Sequence, residues 1–308
     1  MSNWDIKVIN AKDIDQYKWS KMLSKTPELI AQFHEHWFLS AIAENWVAFV
    51  YGDYLSAFPC VFKKKYGVKI MYQPFFSRSI SLLGEHHPEL ISLMLSQIQS
   101  KYDLIMFNSE LDIDGFGFKK KPMRHQLLNL DNTYEKIAEG YSTNAKRILK
   151  KNIDIVFEEI DETREFLELF RNTIGNNLGY DESNYSCLGK LIDDGLKKGL
   201  IKLISLDLDG DRQGFACFYF YKNVINYVKG ILTEEGKMNG AMYFMFDHII
   251  KTNAQSDKIL DFGGSDIEGV AAFYKKFGAN DHEYYYYEKN QLPFLLKKIY
   301  GLRQKFSS

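Results

Sequence analysis

Between residues 200 and 287 the chain sets out an order of elements that few folds accommodate. LIKLISLDL (200–208) runs into Asp209-Gly210-Asp211, a hairpin turn of the favoured kind, and GFACFYFYK (214–222) follows it. That run turns at Lys222-Asn223 into VINYVKGIL (224–232). The last two are rich in the β-branched and aromatic residues that suit a pleated, half-buried surface, and the first alternates apolar and polar residues in part. A glycine-bearing loop, TEEGKMNG (233–240), then leads into AMYFMFDHIIKTNA (241–254), whose apolar residues recur at helical spacing. The strand KILDFGG (258–264), the helix GVAAFYKKFGA (269–279) and the strand HEYYYYE (282–288) complete the series. An antiparallel meander followed by alternating helices and strands requires a mixed sheet flanked by helices, an α/β (α+β) class.

The first half repeats the plan more loosely. Thr26-Pro27-Glu28 opens a helix, VAFVY (47–51) to VKIMYQP (68–74) reads as a meander, PELISLMLSQIQS (88–100) as a helix and DLIMFN (103–108) as a buried strand. Residues 109–130 read as irregular and basic, and the stretches 133–140 and 142–151 as short helices. At 308 residues the chain is long for one average domain and comfortable for two. We place the domains at 1–130 and 131–308, an internal duplication inferred from architecture alone.

A net charge of −1 gives no global pull toward nucleic acid or anionic membrane, although Lys146, Arg147, Lys150 and Lys151 crowd one short helix. Cys60, Cys187 and Cys217 are odd in number and form no C-x-x-C pair, and no His pattern reads as a metal site. The polar, acidic N-terminus and the lack of an apolar run of membrane-spanning length make the cytoplasm the expected compartment.

The element order from 200 to 287 is similar to the core of the GNAT superfamily. In that family the chain after the meander wraps the pyrophosphate of acyl-CoA with backbone N–H groups at a helix N-terminus. The matching stretch is Lys237-Met238-Asn239-Gly240-Ala241-Met242, where Lys237 stands for the family's Arg or Gln and Met242 for its last small residue. Tyr274-Lys275-Lys276-Phe277-Gly278 resembles the family pattern whose tyrosine protonates the leaving thiolate. More of the chain resembles tandem-GNAT proteins, which include the Fem-type aminoacyltransferases. The resemblance rests on Tyr72-Gln73-Pro74-Phe75-Phe76, on the block from Tyr141 through Lys151, and on Leu260-Asp261-Phe262-Gly263-Gly264-Ser265. The long coiled-coil insertion of Fem-type enzymes has no counterpart here.

The resemblance implies two GNAT-like domains in tandem. It also implies an N-acyl- or aminoacyltransferase that moves an acyl group from a thioester or an aminoacyl ester to an amine by direct attack. Tyr274 would be the general acid and Asp261 would orient the amine. Lys237, Asn239, Gly240 and Ala241 would hold acyl-CoA as a donor substrate rather than as a tightly bound cofactor. Lys146, Arg147, Lys150 and Lys151 would meet phosphates, those of an aminoacyl-tRNA among them, and Gly263, Gly264 and Ser265 would let a substrate approach the backbone. The alternative is a catalytically inactive GNAT-fold protein that binds a phosphate-bearing ligand.

Overall fold

The structure, a computed structural model, describes residues 5–151, 154–175, 180–264, 268–294 and 297. The chain divides into two compact units, Met1–Pro122 with Tyr284–Ser308 and Met123–Glu283. Along the first run β1 (Ile6–Asn10), α1 (Gln16–Leu23), α2 (Glu28–Ala31), α3 (His36–Ile42), β2 (Trp46–Tyr51), β3 (Ser56–Lys65), β4 (Val68–Met71), β5 (Leu83–Gly84), α4 (Pro88–Lys101) and β6 (Leu104–Ser109). Strand β7 (Lys119–Asn129) carries the chain across the division. In the second unit follow α5 (Tyr134–Glu139), α6 (Thr143–Leu149), β8 (Ile155–Ile160), α7 (Arg164–Phe170), α8 (Glu182–Lys197), β9 (Ile201–Leu208), β10 (Asp211–Tyr221) and β11 (Val224–Leu232). Then come α9 (Glu234–Asn239), α10 (Ala241–Asn253), β12 (Ile259–Gly264) and α11 (Glu268–Lys275), and β13 (Asn280–Asn290) leads back.

The first unit's sheet runs β1-β2-β3-β4-β6, and Tyr285–Asn290 of β13 pair beside β6. Among the described strands of this unit β4 and β6 alone are parallel, through Ile70↔Leu104 and Met71↔Ile105. The second unit's sheet runs β8-β9-β10-β11-β12 and is continued by His125–Asn129 of β7. Among its described strands β11 and β12 alone are parallel, through Val224↔Ile259 to Asn226↔Asp261. Each unit is thus a meander, a helix, a strand parallel to the meander's last, and an antiparallel closing strand.

The closing strands are where the structure departs from the sequence reading. HEYYYYE was expected to close the second sheet, yet Tyr285, Tyr286 and Tyr287 pair with β6 of the first. The second sheet is closed by β7, within a stretch expected to be irregular. A period-two run announces a strand but not which edge receives it. Pro122 and the lysines before it mask the β7 pattern, since proline and charge normally mark edges or loops. The boundary expected near residue 130 therefore differs from the division at 122/123, and residues 284–308 go with the first unit.

One face of the second sheet packs on α5, α6, α10 and α11 around Phe218, Ile225, Leu260, Phe246 and Phe277. The other face meets α7 and α8, with Phe166 edge-on to Phe215 at 6.3 Å. The expected loop at 233–240 is largely the helix α9. Thr233 caps it, its hydroxyl accepting from the Gly236 N–H at 2.9 Å, and Glu234 and Glu235 occupy the first turn, where the helix dipole favours negative charge. Gly240, in the left-handed region at φ 77°, ends α9 and admits α10 directly. Helix α6 ends at Leu149, so Lys150 is its C-cap and Lys151 lies beyond it.

Candidate functional site

Parallel strands that pair for a few residues and then part leave an opening between them, and both units have one. In the first unit its own chain fills the place. The Asn108 backbone N–H donates to Gln73 Oε1 at 3.0 Å, the Asn108 amide donates to the Arg78 carbonyl at 2.9 Å, and the Ile80 N–H donates to the Asn108 carbonyl at 2.7 Å. Arg78 is in turn paired with Glu110 at 2.8 Å, both nearly buried. In the second unit β11 and β12 pair only up to Asn226 and Asp261, and their continuations hold the chemistry.

On the helical face stands Tyr274 of α11. Its ring packs 5.0 Å from Phe262, 5.8 Å from Phe246 and 6.3 Å from Tyr227. Burial, and secondarily the Asp261 carboxylate, push the phenol above its ordinary range. Such a phenol stays protonated at neutral pH and gives its proton most readily to a strong base such as a leaving alkoxide.

The opposite face carries a row of polar groups in an apolar sheet. Asp261 faces away from Leu260 and Phe262, which belong to the helical core, and it shares that orientation with its register partners Asn226 and Leu127. His125, two residues before Leu127, reaches Asp261 with Nδ1 3.4 Å from Oδ1. The Gly263 N–H donates to the same oxygen at 3.0 Å. Both His125 and Asp261 are buried, as is Asn226.

Lys229 joins this row because of a bulge. Phe218 pairs with Tyr227 but Cys217 pairs with Lys229, so Val228 is an extra residue in β11. Without it Lys229 would share the helical face with Tyr227. With it the amine lies on the α7 side, 5.2 Å above the Phe170 ring and 5.9 Å from that of Tyr180. Burial lowers the Lys229 pKa below the usual lysine range.

The phosphate candidates form a second group. Lys151 donates to the Asn239 carbonyl at 3.2 Å, and a Cβ on Gly240 would lie 3.2 Å from Ile148, so the end of α6 adjoins the start of α10. The Lys146 amine donates to the Glu139 carbonyl at 2.9 Å, and Arg147 donates to Asn144 Oδ1 at 3.0 Å. The Tyr243 hydroxyl accepts from Asn144 at 3.1 Å and from Lys276 at 2.9 Å. None of Lys146, Arg147, Lys150, Lys151 and Lys276 is ion-paired to a described carboxylate. Lys237 is, to Glu234 at 2.5 Å, and Asn239 reaches Gln213 at 3.4 Å.

The structure thus brings Asp261 and Gly263 together, sets Tyr274 within electrostatic reach of Asp261, and joins the 146–151 and 237–241 groups. Gly264 ends β12 in register with His125, and Ser265 lies outside the described residues. The sequence reading missed His125, Asn226, Lys229, Tyr243 and Lys276. Two polar residues inside the largely apolar strand run VINYVKGIL were the available signal for Asn226 and Lys229; His125 had none, lying in a stretch read as irregular.

No family model matches the chain and no curated protein resembles it in sequence. Solved structures do resemble it in fold. The structure of FemX aligns at TM-score 0.64 and 14% identity over 98% of this chain and 100% of that one. A tandem GNAT protein from the clavulanic acid biosynthesis pathway aligns at 0.55 and 10%, covering 94% and 99%. L-PGS from Bacillus licheniformis aligns at 0.52 and 15%, covering 94% and 96%. The chain therefore has the tandem GNAT fold, a mixed α/β architecture in which each unit carries one copy of the sheet. Among the described residues no helix is long and apolar enough to cross a membrane.

Proposed function

We propose that this chain is an acyltransferase whose reaction takes place in the second unit, with an amine as acceptor. The observation that carries the reading is the parting of β11 and β12, with the Tyr274 phenol on one face and the Asp261–His125 pair on the other. The amine attacks the donor carbonyl, a C–N bond forms, and the C–O or C–S bond to the leaving group breaks. The proton lost by the amine passes to the Asp261–His125 pair. The leaving oxygen or sulfur takes the Tyr274 proton, and exchange with solvent restores both groups.

For the donor we favour an aminoacyl ester carried on tRNA, the Fem-type chemistry. Lys237 is tied to Glu234 within α9, whereas the cations around α6 have no carboxylate partner among the described residues and are open to phosphates. Isothermal titration with charged tRNA, acetyl-CoA and a longer acyl-CoA tests this: charged tRNA should bind. Binding of the acyl-CoA species alone would overturn the donor assignment.

A specific observation favours a second reading, binding without turnover. A Cβ on Gly230 would lie 2.2 Å from the Tyr227 hydroxyl and 2.8 Å from Met242 Cε, so these side chains fill the space beside β11 at the start of α10. Donor binding with no transfer to any amine would select that reading.

A further inference from the structure

The acceptor of the proposed transfer is an amine, and Asn226 and Lys229 narrow its class. Asn226 is 4% exposed, yet its side chain makes no hydrogen bond to a described residue and is not among the polar atoms wholly sealed from solvent. The amide thus keeps a little contact with solvent and has donors and an acceptor to offer a ligand, since leaving a nearly buried amide unpaired is costly. Among the described residues Lys229 likewise has no hydrogen bond and no carboxylate partner, and its amine lies over the rings of Phe170 and Tyr180. Lys229 is half-buried, and a partly desolvated cation with no counter-ion attracts an anionic group of a ligand more strongly than one in open water.

Register and the Val228 bulge put Asn226, Lys229, Asp261 and His125 on one face. Along it the groups are ordered by charge. The carboxylate and imidazole lie at one end, the neutral amide beside them, and the amine about 7–10 Å further along β11 at the rise of a strand. A ligand matching this row carries a positive or amine group at one end and a negative group at the other.

We propose that the acceptor is an amine-bearing carboxylate of amino-acid to dipeptide length. Its amine sits at Asp261 and His125, its carboxylate at Lys229, and an intervening polar group at Asn226. The proposal rests on the reading of this face as the acceptor side. A single lysine with one amide suits a singly charged carboxylate. A phosphate monoester would call for a second cation or an arginine fork, and the neighbouring Arg171 is already engaged with Glu182 in two hydrogen bonds, at 2.5 and 3.0 Å. The rings of Phe170 and Tyr180 would flank the aliphatic part of the ligand.

Isothermal titration without any donor tests the assignment independently of transfer. The probes are lysine against cadaverine, glycylglycine against glycylglycinamide, and O-phosphoserine. The carboxylates should bind at least tenfold more tightly than the counterparts that lack the carboxylate. Lys229→Met should erase the difference with an unchanged melting temperature, and Lys229→Arg should keep it. Equal binding of the paired probes, binding of none of them, a preference for O-phosphoserine, or a preference that survives Lys229→Met would each overturn the proposal. If the preference appears but no donor is ever consumed, the acceptor site stands and the transferase reading falls. If transfer proceeds with no preference for the carboxylate, the reverse holds.

Discussion

A single oxygen, Asp261 Oδ1, lies between two nitrogens, accepting from the Gly263 amide at 3.0 Å and standing 3.4 Å from His125 Nδ1. The first contact fixes the backbone where β12 ends, and the second orients an imidazole from β7. A carboxylate beside Nδ1 favours the tautomer protonated there, which leaves Nε2 as the basic nitrogen.

Asp261→Asn keeps an oxygen for Gly263 but removes the charge that holds the imidazole. The expected cost is about 1–3 kcal/mol of stability, since a buried hydrogen-bonded network loses one of its partners. Calorimetric melting of the variant beside the parent measures it, and an unchanged melting temperature would show that the pair contributes nothing to the fold.

Tyr274→Phe removes one hydroxyl and leaves the ring packed against Phe262 and Phe246. Stability should barely change, while kcat falls roughly 10²-fold or more, the usual worth of a positioned acid. Full turnover in this variant would reduce Tyr274 to a packing residue.

Arg147→Ala combined with Lys150→Ala should weaken binding of a phosphate-bearing donor and leave the melting temperature nearly unchanged. The exposed cations at the end of α6 have no carboxylate partners to lose. Parental binding should itself weaken with added salt, because exposed charges are screened beyond about 10 Å at 0.1 M. Titration at two ionic strengths reads both effects, and salt-independent binding by the double variant at parental strength would make this face solvated surface.

A pH dependence follows from His34 in the first unit. Its Nε2 accepts from the Ser81 N–H at 3.1 Å, so Nδ1 carries the hydrogen that meets the Ile30 carbonyl at 2.8 Å. The ring is buried neutral, and burial lowers its pKa from 6.5 to about 4. The unfolded chain binds this proton more readily, so the stabilisation is complete above pH 6.5 and is lost as pH falls toward 4. The loss is about 3 kcal/mol at roughly 1.4 kcal/mol per pH unit. Melting temperatures across this window should fall, and His34→Gln should flatten the slope. A parental slope that persists in His34→Gln would assign it to other groups.

Much of the second unit could be read from the chain because its signals are local. Asp209-Gly210 sets a hairpin, alternation marks β9 to β11, and Tyr274 and Asp261 stand in recognisable runs. What escaped was non-local. His125 meets Asp261 across 136 positions of sequence, and nothing near it announces the contact. Lys229 changes face because of one extra residue, which strict alternation does not foresee. The helix α9 hid behind its glycine and was read as a loop, although Thr233 with Glu234 and Glu235 is an ordinary helix start.

The exchange of closing strands also orders events on the ribosome. The first unit lacks the strand that pairs with β6 until residues 285–290 have emerged, after the whole of the second unit has been made. At bacterial or eukaryotic elongation rates that wait lasts on the order of tens of seconds. Meanwhile the edge of β6 stands unpaired, a template for any nascent strand nearby. The second unit, by contrast, already has β7 in hand when β12 appears. The later-made unit is therefore the one that can fold first, and a chain broken off before Tyr285 would lose a strand from its N-terminal unit while its C-terminal sheet stayed whole.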